Sequence, residues 1–231
     1  MSLVQQELRE GVCILRIDHG KPNSISRAVA LELGAALDEA EKTANAIVLL
    51  GRPGMFSGGF DLPTMTQGPQ AARDMVIEGG RLLMKIYDHP KPIIAGCGGH
   101  AIAMGAFLVL AADERIGAAG AFKLGMNETA IGMTLPDFGM ELARARLSKR
   151  HFDRVIVHST IYDPEGALEV GILDRIVAPE RLEGEAFEAA LRLGALKQPA
   201  FRNNKRLAHR ATVERILATL EENVTGLMGG G

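Results

Sequence analysis

Tryptophan is absent from this 231-residue chain, aromatic residues make up 4% of it, and cysteine occurs twice. Basic and acidic side chains nearly cancel, 26 against 28. A nucleic-acid interface calls for a basic face with aromatics interleaved for stacking, and the chain carries no such patch. The same balance leaves no electrostatic footprint for an anionic membrane. No apolar run reaches the roughly 18 residues of a bilayer span, and Met1–Glu10 has no apolar signal core. These absences predict no nucleic-acid or membrane partner and a reducing, cytoplasmic setting. Cys13 and Cys97 stand inside apolar runs without a CxxC or Cys/His ligand spacing, so they read as small buried hydrophobes and imply no metal site. Also missing are a GxGxxG after a strand, a Walker loop, HExxH and GxSxG.

What remains is an ordinary globular composition, 47% hydrophobic and 23% charged, with length for a substantial core. Val12–Ile17 reads as a strand, followed by a turn at Lys21–Ser24. Ser26 is placed to cap a helix reaching Thr43, with Val29, Leu33, Leu37 and Ala40 on one face. Ala46–Leu50 is a short unbroken apolar run, the form of a strand buried on both sides, and Ile93–Cys97 reads as another strand. Between them a helix is expected over Gln70–Tyr87, weakened at Gly79-Gly80. Met104–Ala112 is apolar all round, as in a wholly buried helix.

Arg115–Ala118 and Ala121–Leu124 are expected as strands, Asp137–Leu147 and Ser148–His158 as helices. Asp163-Pro164-Glu165 opens a helix that Gly171 stops. Leu173–Val177 is the last strand and Pro179–Lys197 a further helix. Alternating strands and helices indicate an α/β architecture with parallel or spiral strand order. Pro199–Met228 differs in character. Val213, Leu217, Leu220, Val224 and Leu227 repeat every 3.5 residues, a seam for another helix of this chain or of a neighbouring subunit. The Gly229–Gly231 tail is expected to fray.

Two stretches stand out chemically. Met55-Phe56-Ser57-Gly58-Gly59-Phe60-Asp61 follows the run Ala46–Leu50, and Gly96–Asp113 follows Lys91–Ala95. Each is a β-like run, a glycine-rich turn and helix-forming sequence. Such turns can leave backbone N–H groups free at a helix start, where they attract developing negative charge. Two of them converging on one carbonyl oxygen would form an oxyanion hole. Glycine pairs after strands also mark plain tight turns.

The ordered set Phe56-Ser57-Gly58-Gly59-Phe60-Asp61-Leu62, Lys91-Pro92-Ile93-Ile94-Ala95, Gly99-His100-Ala101-Ile102-Ala103-Met104-Gly105 through Asp113, and Ala167–Asp174 resembles the crotonase superfamily, the enoyl-CoA hydratase/isomerase group. The resemblance runs from about Val12 to Pro179. It implies a crotonase-like spiral of ββα units over residues 1–195 and a C-terminal helical oligomerisation region over 196–231, forming trimers or hexamers. It implies acyl-CoA thioester substrates, with CoA entering as part of the substrate and no other cofactor or metal. Carried over residue by residue, the backbone donors of the oxyanion hole fall on Phe60 and Met104, and the CoA adenine near Gly58, Phe60 and Leu62.

Within that family, hydratases use two glutamates. Phe107 occupies the first position here and cannot transfer a proton. The second matches Glu128, in Leu124-Gly125-Met126-Asn127-Glu128-Thr129-Ala130-Ile131-Gly132, which resembles the single-glutamate Δ3,Δ2-enoyl-CoA isomerases. One carboxylate suffices to take a proton from C2 of a 3-enoyl thioester and return it to C4. Without the resemblance, Glu128 reads as a solvated surface charge. Asp137 is the second catalytic candidate, although Asp followed by helix reads first as an ordinary N-cap. His100 sits in the second glycine turn, where histidines seldom act, and Glu141 and Glu165 read as helix-surface charges. An enoyl-CoA hydratase, an acyl-CoA hydrolase on the same scaffold and a non-catalytic acyl-CoA-binding relative stay open as alternatives.

Overall fold

The computed structural model describes residues 2–229, with side chains to residue 227; Met1 and the expected tail residues Gly230 and Gly231 lie outside it. Nine strands divide between two sheets among the described residues. The larger contains β1 (Val4–Arg9), β2 (Val12–Ile17), β3 (Ala46–Leu50), β5 (Ile93–Cys97), β7 (Glu114–Ala118) and β9 (Arg175–Val177), in that spatial order. The smaller contains β4 (Gly54–Ser57), β6 (Gly99–Ile102) and β8 (Leu124–Gly125). Apart from the antiparallel β1–β2 hairpin, each ladder is parallel.

Chain order explains the spiral. β3, β5 and β7 in the large sheet are each followed by β4, β6 and β8 in the small one. Each coil therefore visits both sheets before its helices return it to the start, which is the crotonase-like arrangement. Alternation along the large-sheet strands sorts their side chains between two cores. Cys13, Leu15, Ile17, Ile47 and Leu49 face the main core, where α1 (Arg27–Thr43), α3 (Pro69–Tyr87) and α4 (Met104–Ala111) pack. Val12, Ile14, Val48, Leu50 and Ile94 face Leu182, Ala186 and Phe187 of α8 (Leu182–Gly194).

Several local expectations hold. Ser26 Oγ accepts the Val29 N–H at 3.2 Å and caps α1. Asp163 caps α7 (Pro164–Val170), which ends at left-handed Gly171. Burial pushes the Cys97 thiol up to about 12, and both cysteines are free and buried. The Gly79-Gly80 pair does not interrupt α3, although each glycine costs a helix interior about 1 kcal/mol relative to alanine.

Other expectations are corrected. Strand β1 pairs at the sheet edge despite five exposed residues of six, because its backbone rather than its side chains does the pairing. The strand expected over Ala121–Leu124 is confined to Leu124–Gly125, and the helix expected over Ser148–His158 to α6 (Phe152–Ile156). β4 and α2 (Leu62–Gln67, capped by Asp61) add to the first glycine turn. Helix α9 (Gln198–Gly229) folds back on its own chain. Ile216, Leu220 and Val224 enter the main core, whereas Leu217 and Leu227 of the expected seam are exposed. Ile216 displaces Leu217 because a straight helix advances by 3.6 residues per turn. No helix is long and apolar enough to cross a membrane among the described residues.

Candidate active site

The parallel small sheet aligns the carboxyl ends of its three strands. Ser57 pairs with Ala101, and Ala101 with Leu124. Three residues beyond Ser57 and Ala101 come Phe60 and Met104, and four beyond Leu124 comes Glu128. Register thus gathers at one end of the sheet three groups that lie far apart in sequence.

Hydrogen bonding decides how Phe60 presents its backbone. The Gly58 N–H donates to Pro22 O at 3.0 Å, Ile25 N–H to Gly59 O at 2.8 Å, and Asp61 N–H to Ile25 O at 3.2 Å. In this parallel bridge between Ile25 and Phe60, the residues flanking Phe60 make the bonds, so its own N–H points the other way. Gly59 adopts φ 102°. A Cβ there would lie 3.1 Å from Ile102 O and 3.7 Å from Met104 N, which is why the two turns can approach. Met104 opens α4, so its N–H has no intrahelical acceptor. Ala103 immediately before it is held at φ 51°, a backbone conformation disfavoured for residues with a side chain. Among the described residues, neither the Phe60 nor the Met104 N–H has a protein acceptor.

The loop is braced from behind by residues the sequence reading did not select. Buried Asn23 sends Nδ2 to Phe56 O at 2.8 Å and to Ile17 O at 3.1 Å, while its Oδ1 accepts the His19 N–H at 2.8 Å. Ser24 Oγ donates to Asp61 Oδ1 at 2.9 Å, and the Thr64 hydroxyl to Asp61 Oδ2 at 2.7 Å. Burial pushes the Asp61 carboxyl up, but these donors outweigh it and hold the group below its ordinary value. Only the Pro-Asn turn hinted at this brace. Leu62, placed beside the loop, is 70% exposed and open to a ligand.

Glu128 is half-buried at the start of a 3-10 turn, Thr129–Ile131, which ends on left-handed Gly132. Burial pushes its carboxyl from 4.5 to about 7, with only its own N–H acting in the opposite sense. Among the described residues it forms no ion pair. A fully solvated carboxyl would not be pushed up in this way. The position carries a carboxyl able to gain and lose a proton near neutrality.

Phe107 is 1% exposed, and a Cβ on Gly139 would lie 3.0 Å from its Cζ. It therefore packs on α5 (Asp137–Arg146) as part of the core. Asp137 is not an N-cap: Pro136 holds that place without a capping side chain, and Asp137 is the first helical residue. Its N–H is instead satisfied by Asn223 Oδ1 of α9 at 2.9 Å. His100 lies within β6 rather than in a turn, and its Nδ1 accepts the Lys123 N–H at 3.0 Å. Glu141 pairs with Arg144 and Arg215.

The chain matches the enoyl-CoA hydratase/isomerase family model over residues 7–226, and it belongs to that family. A crystal structure of an enoyl-CoA hydratase/isomerase family protein from Pseudomonas syringae superposes with a TM-score of 0.95 at 42% identity, covering 97% of this chain and 98% of that one. The human mitochondrial enoyl-CoA delta isomerase 1 is 26% identical over 96% of this chain and 75% of its own length. A putative enoyl-CoA hydratase from Thermus thermophilus is 31% identical over 81% and 74%. Both reaction classes thus occur among its relatives.

Proposed function

We propose that this enzyme is a Δ3,Δ2-enoyl-CoA isomerase whose one catalytic base is Glu128. The observation that carries the reading is the half-buried carboxyl, without an ionic partner and pushed to about 7; beside it stands the resemblance, which puts buried Phe107 at the position of the hydratases' other glutamate. The thioester oxygen accepts the Phe60 and Met104 N–H groups. Ionised Glu128 takes a proton from C2, and the electrons move through the conjugated system to that oxygen, giving a dienolate. The same carboxylic acid then delivers the proton to C4, and the double bond shifts from C3–C4 to C2–C3. No proton or electron is gained or lost overall. Each backbone donor contributes about 3–4 kcal/mol to the barrier reduction, and a placed general base about 10²–10⁴ in rate.

Hydration needs a further group to position and deprotonate water while acid is delivered, and Phe107 has neither donor nor acceptor. Asp137 stands in a second acidic role only if water is activated, as in thioester hydrolysis. The CoA portion rests along Gly58, Phe60 and Leu62. Leu207, Leu217 and Leu227 of α9 are exposed and support assembly into a homotrimer or a hexamer built from two trimers.

The test compares wild type with Glu128→Gln on 3-hexenoyl-CoA, following 2-enoyl thioester formation, with crotonyl-CoA hydration in parallel. Isomerisation that disappears in the variant, with little hydration, is the expected result. Efficient hydration, or isomerisation that survives the substitution, would overturn the assignment.

A further inference from the structure

We propose that the paired glycines of α3 admit four side chains that close the acyl pocket just beyond the thioester carbonyl, so that this enzyme selects short acyl chains, with Phe60 as the gate. The proposal rests on the isomerase reading for the position of the carbonyl. It goes beyond that reading in naming which acyl-CoA thioesters are accepted.

A Cβ on Gly79 would lie 2.5 Å from Cε1 and Cζ of Phe60 and 3.3 Å from Cε of Met104. A Cβ on Gly80 would lie 2.6 Å from Cδ1 of Leu220 and 2.9 Å from Cδ1 of Phe138. The two glycines thus form a notch in α3 that is already filled, from the first glycine turn, α4, α5 and α9. Two of the four fillers are the residues whose N–H groups hold the substrate oxygen. Their side chains converge on Gly79, so the wall stands within one side-chain length of the reacting carbonyl.

Met104, Phe138 and Leu220 are 1%, 2% and 4% exposed and belong to the closed core. Phe60 alone is half-buried, so a growing acyl tail meets its ring first. Lodging a longer tail means expelling that ring from the notch, which a well-packed core resists. A different exit would follow the groove of about 730 Å³ beside β8, lined by Ile102, Phe122, Asn127, Ile161 and Tyr162 among others. None of the four side chains at Gly79 and Gly80 lines that groove, and the route sets a clear contrast for experiment.

Two length series decide it. The first measures kcat/KM for 3-hexenoyl-, 3-octenoyl- and 3-dodecenoyl-CoA. The second measures Kd by calorimetry for hexanoyl-, octanoyl- and dodecanoyl-CoA, which needs no turnover and so judges the wall even if the isomerase reading fails. A tail that enters an apolar pocket gains about fourfold in affinity per methylene. Wild type is expected to gain nothing beyond hexanoyl and to process 3-dodecenoyl-CoA at least about tenfold less well than 3-hexenoyl-CoA. Phe60→Ala is expected to restore the affinity gain with length and to narrow the kinetic ratio about tenfold. Phe60→Leu should fall between, and it serves if the alanine variant folds poorly. Because each ratio is internal to one protein, changes in active fraction cancel. Wild-type affinity that climbs steadily to dodecanoyl, or Phe60 variants that keep the wild-type length profile, would overturn the proposal. Loss of turnover at every length with the binding profile as expected would reject the isomerase reading alone.

Discussion

Asn223 Oδ1 accepts the Asp137 N–H across 2.9 Å, so the C-terminal helix caps α5 from 86 residues away. The usual capping residue is Pro136, which has no side-chain acceptor. Removing a cap of this kind costs about 0.5–2 kcal/mol. Asn223→Ala should lower Tm by roughly 2–4 °C per kcal/mol lost in a domain of this size. Asn223→Asp keeps the acceptor and should recover most of the loss. Thermal unfolding of the three proteins checks this, and equal destabilisation by both variants would remove Asn223 from the capping role.

Glu128 carries a pH signature of opposite sign for activity and stability. Its folded value of about 7 lies above the ordinary 4.5, because burial favours the protonated form. The fold therefore binds this proton more tightly than the unfolded chain does. The resulting cost is absent below pH 4.5, grows as pH rises, and is complete above about 7. Glu128→Gln should stabilise the protein above neutrality by about 1–3 kcal/mol and have little effect at pH 4. Under the proposed mechanism, kcat/KM of wild type should climb through about pH 7 as the base ionises. Urea unfolding at two pH values and a pH–rate profile test the two halves separately.

Gly139 is tied to Phe107 by volume. A Cβ at that position would meet Leu135 Cδ1 at 2.9 Å and Phe107 Cζ at 3.0 Å. Gly139→Ala gains about 1 kcal/mol in helix propensity but overpacks the core by about 1–3 kcal/mol, so net destabilisation is expected. Phe107→Leu removes the ring tip, so the alanine should then cost less, with the Leu135 contact remaining. A double-mutant cycle in urea reads the coupling directly; additive effects would mean that the contact relaxes elsewhere.

Lys205 and Asp113 form a buried pair at 2.7 Å, with side chains 5% and 14% exposed. Asp113 also accepts the Ile93 N–H at 2.8 Å, linking the first half of α9 to the start of β5. Lys205→Met keeps the apolar stem but leaves the Asp113 charge unpaired, and a loss of about 3–5 kcal/mol is expected. A change in urea midpoint worth less than about 1 kcal/mol would show that water reaches the aspartate.

The sequence was most readable where one local cause suffices. Ala46–Leu50 and Ile93–Cys97 are unbroken apolar runs because both faces of the large sheet are covered, and both are strands as expected. Ser26 and Asp163 cap their helices through bonds spanning three residues. β1 has no local signature, because Val-Gln-Gln-Glu-Leu-Arg buries only Val4 and no alternation marks this edge strand. Asp137 could be read as a cap from its neighbours, but only the fold brings Asn223 to its N–H.

By itself the sequence determined the family, the alternation of strands and helices and the two glycine turns, since residue identity and spacing are properties of the chain. Tertiary structure decided what those residues experience. Glu128 owes its raised proton affinity to burial, and burial is created only when distant segments pack around a carboxyl. Gly79 and Gly80 read as weak points in a helix until Phe60, Met104, Phe138 and Leu220 fill the space they leave. Close packing is a relation among segments remote in sequence, and no local pattern records it.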